Sequence, residues 1–185
     1  MHDPRVLRSR AAVLDAAVDI LAAGGSEGFS IDAVAKRAGV ARTTVYRHWS
    51  DVDELLVDAM ATVCVSPTDP DTGSARDDLA AMYTGLVERL ADTRLGQVLP
   101  VMLDLARRDE SMRPLHRRFI ADRRRPSVAA VQRGIERGEL PVGTDAERVV
   151  DRIAGPIFYR FLVVQEPYAA GDVERLVDEV LDSLR

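Results

Sequence analysis

From Leu7 to Leu184 the apolar residues recur at spacings of three and four, a period that commits the chain to helices packed by one face. Leu7, Ala11, Leu14, Val18 and Leu21 place a first amphipathic helix over about residues 6–23, closed by Gly24-Gly25. In "FSIDAV" Ser30 stands where a second helix needs a cap, and Phe29 before it can pack on Val34 as a hydrophobic staple. That helix is short, and Gly39 ends it where a tight turn calls for positive φ. A third helix runs through "RTTVYRHW" with Val45 and Trp49 inward, and Ser50 is expected to cap a fourth that carries Val52, Leu55, Leu56, Ala59, Met60 and Val63.

The stretch "SPTDPDTG" at 66–73 reads as a loop and a seam. Beyond it, Leu79, Met82, Tyr83, Leu86 and Leu90 mark one helix, and Val98, Met102 and Leu105 the next, with Pro100 near its start. A long helix is expected from about Ser111, with Leu115, Phe119, Val128, Val131 and Ile135 apolar, a kink at Pro126 and a stop at Gly138. Thr144 with Glu147 reads as a capping box for another. Its residues Val149, Val150, Ile153, Ile157, Phe158, Phe161 and Leu162 cover more than one face, so it needs more than one neighbour. Asp172 is expected to open the last helix, whose seam of Val173, Leu176, Val177, Val180, Leu181 and Leu184 is too short to be stable undocked.

The fold class is therefore all-α, with about nine helices. An N-terminal three-helix domain over 1–50 is joined through a helix at 51–65 to a larger helical domain at 66–185. Composition agrees, with aromatics at only 5% and Ala, Leu, Arg, Asp and Glu dominant. Cys64 is the one cysteine, which excludes an intrachain disulfide and a cysteine-built metal cage, and it reads as a small buried hydrophobe. Residues 1–25 have no signal-peptide core, and "IAGPIFYRFLVV" is too short for a bilayer and contains Arg160, so the chain reads as soluble and cytoplasmic with no membrane partner.

Charge is uneven along the chain. The whole holds 25 basic and 30 acidic residues, yet residues 1–50 hold seven basic against five acidic. A basic segment on an acidic chain suits a polyanion. Two short helices joined at a glycine turn and braced by a longer helix make a helix-turn-helix, whose second helix enters the DNA major groove amino end first. Arg42, Thr43 and Thr44 occupy that end and are the candidate base readers, since a guanidinium forks onto guanine and threonine offers a hydroxyl and a methyl. Tyr46, Arg47 and His48, about a turn later, are candidate phosphate contacts, with Ser30 at the amino end of the second helix. Arg5, Arg8 and Arg10 can follow the backbone toward the minor groove.

The run "ILAAGGSEGFSIDAVAKRAGVARTTVYRHWSDVDELL" at 20–56 resembles the TetR/AcrR family of transcriptional regulators, through the glycine and Phe29 before helix two, "VAKRAGV", and a tyrosine and a histidine-aromatic pair ahead of "ELL". "IERGELP" and "GPIFYRFLV", within 127–167, look like one of the family's C-terminal types. The resemblance implies a dimer on a palindromic operator of double-stranded DNA and a C-terminal domain that binds a small molecule and releases the DNA. The chain departs from the family's usual serine at Ala41, glycine or alanine at Thr43, phenylalanine at Trp49 and phosphate-contacting lysine at Val52.

For the effector, expected to be largely apolar, the candidate pocket is Met82, Tyr83, Leu86, Met102, Leu105 and Phe119, which could equally fill an ordinary core, and Arg160 in its apolar run must either reach an acid or water or meet a ligand carboxylate. For the homodimer, a four-helix bundle of the last two helices of each chain would use Ile153, Ile157, Phe161, Val173, Leu176, Val177, Val180 and Leu184. The cluster Arg117, Arg118, Arg123, Arg124 and Arg125 reads as a solvated face paired with acids, and Asp77-Asp78 as an exposed pair. His116 reads as a surface residue and His2 as part of a loose terminus; neither has metal-ligand spacing. No nucleophile elbow, phosphate loop or cofactor motif emerges, so neither an enzyme nor a bound cofactor is expected. The competing reading is a helical ligand-binding or scaffold protein whose helix-turn-helix is vestigial, consistent with Val52 and the acidic pI of about 5.3.

Overall fold

The computed structural model describes residues 4–24, 28–63, 68–91, 93–110 and 112–184, and among these it contains nine α-helices and no strand. Gly25, Cys64, Ser66, Pro67 and Ser111, about which the sequence makes a claim, lie outside the described residues, as do His2 and the side chains of Arg5 and Leu115.

Space divides the chain into two compact units, and not at a single point. The first comprises residues 1–65 and 93–117, the second 66–92 and 118–185. In the first, α1 (Pro4–Gly24) packs on α2 (Ile31–Ala38), α3 (Arg42–Tyr46), α4 (Val52–Val63) and α6 (Thr93–Arg108). Sequence order placed α6 with the C-terminal domain. It joins the first unit by packing on α1 and α4, and Arg94 on α6 donates to Asp15 (3.1 Å) and Asp19 (3.3 Å) of α1. Of the expected stripe of α1, Leu14, Val18 and Leu21 are buried and closed by Val34, Val45, Trp49, Leu55 and Leu56, whereas Leu7 and Ala11 are exposed. Each buried aliphatic side chain of this size contributes about 2 kcal/mol.

The second unit holds α5 (Ala75–Ala91), most of α7 (Met112–Glu136), α8 (Ala146–Tyr159) running into a π-helical turn at Arg160–Val164, and α9 (Ala170–Asp182). The buried face of α9 packs on α5 and α8. Residues 68–74 are non-helical, as expected, and are strapped to α5 and α7. The Asp78 carboxylate accepts the Thr72 amide (2.8 Å) and hydroxyl (2.7 Å) and pairs with Arg133 (3.1 Å), which also holds Asp69 (2.6 Å). Asp78 is wholly buried, so the expectation of an exposed Asp77-Asp78 pair fails for its second member. At the amino end of α5, which has an unsatisfied amide at Ala75, Glu139 reaches from 64 residues away to accept it at 2.7 Å.

Helix boundaries differ from the sequence reading where two capping residues stand side by side. Asp51, not Ser50, accepts the Glu54 amide (2.8 Å), and Glu54 reaches back to the Ser50 amide (2.7 Å). This is a capping box shifted by one residue, and the amide of Glu54 and the hydroxyl of Ser50 hold the Asp51 carboxyl below its ordinary value. Asp145, not Thr144, caps α8 by accepting the Arg148 amide (3.1 Å), while Thr144 donates to Pro141. Helix α9 begins at Ala170 rather than Asp172, Pro100 falls inside α6 rather than near its start, and α3 stops at Tyr46, before the aromatic pair His48-Trp49.

Candidate nucleic-acid interface

The turn that presents α3 is built by two local devices. Ser30, in extended conformation, accepts the Ala33 amide at 3.2 Å and starts α2, a cap of about 1 kcal/mol. Gly39 then takes φ of 67°, the left-handed conformation that an L side chain resists, and its amide returns to Lys36. Three residues later α3 begins at Arg42. Ala41 supplies no side-chain cap, as its methyl requires. The helix is pinned by Val45, fully buried, and by Trp49 just beyond it.

Trp49 is tied down by polarity as well as by packing. Its indole N–H donates to Asp58 Oδ2 at 2.9 Å, and the same oxygen pairs with Arg10 at 2.6 Å. The Arg10 guanidinium also lies 5.6 Å from the indole ring centre. The Arg10 charge, expected to follow the DNA backbone, is here engaged on Asp58 with the side chain still 45% exposed. Asp58 went unnoticed in the sequence, although an indole in a core position is itself a signal that an acceptor must be near.

The rest of α3 faces outward. Arg42 and Thr43 are exposed, Thr44 is half-buried, and Tyr46 keeps half of its surface in solvent although it is aromatic. Arg47 is exposed at the helix end and Arg8 on α1 is exposed as well. His48 is half-buried; its Nε2 is buried with no hydrogen-bond partner, and its ring lies tilted against Trp49 with centres 5.4 Å apart. Arg42 is not unaccompanied: its Nε lies 2.5 Å from Asp32 Oδ1 in the first turn of α2, a partner the sequence reading did not name.

Residues 13–59, which hold this helix-turn-helix, match the family described as bacterial regulatory proteins of the tetR family, and residues 69–180 match the tetracyclin repressor-like C-terminal domain. The chain belongs to the TetR family. It is 33% identical over 92% of its length to the DNA-binding transcriptional repressor TetR of Mycobacteroides abscessus, covering 90% of that protein. It is 32% identical over 94% to the uncharacterized HTH-type transcriptional regulator YdeS of Bacillus subtilis, covering 88%. Its fold matches the crystal structure of the TetR family transcription regulator SCO0332 with a TM-score of 0.74 at 28% identity, across 96% of this chain and 98% of that one. The protein is thus a DNA-binding transcriptional regulator, and no described helix is long and apolar enough to cross a membrane.

Most of the other expected site residues fall in the second unit. Ile153, Ile157, Val173, Leu176, Val177 and Val180 are buried within the single chain, so they form its own core rather than the surface of a dimer. Phe161 and Leu184 are half-buried. Apolar surface is left open at Tyr159, Val163 and Val164, at the end of α8 and in the π turn, and separately at Val142. Within the expected pocket, Met82 and Tyr83 are buried in the second unit, where Ser127 donates to Met82 Sδ (3.7 Å) and the Tyr83 hydroxyl lies 3.5 Å from the Val150 carbonyl. Burial pushes the Tyr83 hydroxyl up to about 12.

Met102 is buried and Leu105 half-buried, and both belong to the first unit, so the pocket residues are not brought together within one unit. Leu86 is half-buried, and Phe119 is capped by the Arg123 guanidinium 3.3 Å above its ring. Arg160 donates to the Glu166 carbonyl at 2.8 Å and lies over Tyr168, lining a cleft of about 320 Å³ with Asp172, Arg175 and Glu179. Arg124 bridges Glu147 and Asp151, and Arg117, Arg118 and Arg125 are exposed. His116 is half-buried with its Nδ1 closed off, which departs from a surface residue, and that burial lowers its pKa.

Proposed function

We propose that the protein is a repressor that binds a palindromic operator in the cytoplasm as a homodimer and lets go when a small, largely apolar effector occupies its C-terminal unit. The observation that carries this reading is α3 itself. One short helix, set by a left-handed Gly39 and anchored by Val45 and Trp49, turns Arg42, Thr43, Tyr46 and Arg47 outward. Arg42 and the two threonines read base edges, Tyr46 and Arg47 hold phosphates with the amino end of α2, and Arg5 and Arg8 track the backbone. Open apolar surface at Tyr159, Val163 and Val164 supports self-association, which would set two reading helices about a DNA turn apart.

Titrating salt against binding to the DNA flanking its own gene tests the reading. A regulator of this kind shows a steep linear fall of log affinity with log salt, weakened by Tyr46→Phe and reduced in slope by about one with Arg47→Ala. Sedimentation of the same samples should give a dimer, and addition of apolar candidate effectors should reverse binding. The vestigial reading, favoured by Val52 at the lysine position, requires instead a flat titration and no footprint.

A further inference from the structure

Asp32 is out of place on a face that meets phosphates. It stands at the second position of α2, exposed, beside the Ser30 cap, where a carboxylate repels the DNA backbone. Its partner is the one residue of α3 whose side chain can fork onto a base: Arg42, ten residues later across the Gly39 turn, with Nε 2.5 Å from Asp32 Oδ1. An exposed ion pair of this kind contributes little to stability, so its place in the fold is not explained by holding α2 to α3.

The geometry explains it differently. A guanidinium is a plane with five N–H donors, and a guanine takes two of them in parallel. The Asp32 carboxylate lies against Nε, and an ion pair there restrains the side chain that carries the two terminal nitrogens. A free arginine side chain loses much rotamer freedom on contacting a base, and one already held loses less.

We propose that Asp32 is a positioning residue for base recognition: it buttresses Arg42 so that the terminal edge of the guanidinium is presented to a guanine in the major groove. The acid thereby lowers affinity for DNA in general and raises the discrimination among sequences. The proposal rests on Arg42 reading a base, and the two statements separate by experiment.

Selection from a randomised duplex pool with the full-length protein supplies a preferred site. Wild type, Asp32→Asn and Arg42→Ala are then titrated against that site, against each single base-pair change in it, and against a scrambled duplex of equal length. The expected result is one guanine per half-site whose preference, on the order of tenfold or more, collapses with Arg42→Ala and falls at least about fivefold with Asp32→Asn. Asp32→Asn should meanwhile bind the scrambled duplex as tightly as wild type or more so. A merely structural role would weaken both duplexes together, and that result overturns the proposal. If Arg42→Ala erases a guanine preference that Asp32→Asn leaves intact, the buttress is wrong while the base-reading role of Arg42 stands. If Arg42→Ala leaves every preference unchanged, both fall.

Discussion

Replacing Asp58 by alanine removes the acceptor of the Trp49 indole N–H, on a residue that is only 1% exposed. An N–H left without an acceptor at such a site costs about 1–3 kcal/mol. The same change frees Arg10, but that pair is more than a third exposed on both sides, and its screened contribution is at most about 1 kcal/mol. Asp58→Ala should therefore destabilise the first unit by about 2–3 kcal/mol, most of it conditional on the indole. In a Trp49→Phe background the donor is gone, and Asp58→Ala should cost no more than about 1 kcal/mol. The coupling between the two changes is then about 2 kcal/mol, measured as a double-mutant cycle from urea midpoints by far-ultraviolet circular dichroism. Because Trp49 is the chain's single tryptophan, fluorescence in the two proteins that retain it follows the first unit alone. Equal costs of Asp58→Ala in both backgrounds would refute the reasoning, since the carboxylate would then stabilise through something other than the indole.

Three further outcomes follow from the same geometry. A Cβ at Gly134 would lie 2.6 Å from the Ala75 Cβ and 3.2 Å from Leu140, so Gly134→Ala should lower stability by about 1–3 kcal/mol in thermal melts, and adding Ala75→Gly should restore part of it. Burial pushes the Asp78 carboxyl up, but Thr72 and Arg133 outweigh it and leave the group below its ordinary 3.8; its stabilisation is complete above that value and lost as pH falls through the lower folded one. The stability gap between wild type and Asp78→Asn should accordingly narrow below about pH 4. Asp53 has the opposite sign: desolvation, then the neighbouring Asp109 and Asp51, raise its pKa, so its charge opposes folding at neutral pH. Asp53→Asn should raise the melting temperature at pH 7, with the gain fading as pH drops through the raised value and gone below 3.8.

What could be read from the sequence was local. The period of α1, the Ser30 cap and the Gly39 turn each depend on a few consecutive residues, and they form as expected. Caps went astray by one residue at Asp51 and Asp145, because each has a hydroxyl neighbour of similar capping strength and the register is settled by the packing of the helix that follows. The pairing of Arg10, Trp49 and Asp58 spans up to 48 residues and leaves no local trace. Helix α9 shows a different limit. Its seam was legible as an apolar face, yet hydrophobic periodicity says only that the face is covered, and here α5 and α8 of the same chain cover it.

The same distinction changes what the basic excess of the first fifty residues means. Counted along the sequence, Arg10, Arg37 and Arg42 look like charge available to a polyanion. In the fold each faces a carboxylate: Asp58 at 2.6 Å, Asp19 at 2.9 Å and Asp32 at 2.5 Å. Paired charges contribute weakly to the long-range field that draws DNA in, and each must be drawn off its acid before it can release a counterion from a phosphate. In the reading proposed above, affinity would then depend on contacts made only at close range, by the hydroxyls of Thr43 and Tyr46 and the exposed Arg47. A reading head of that construction would gain little on random DNA and most of its binding energy on a fitting site, which is the balance a regulator needs when competing sequences vastly outnumber its own.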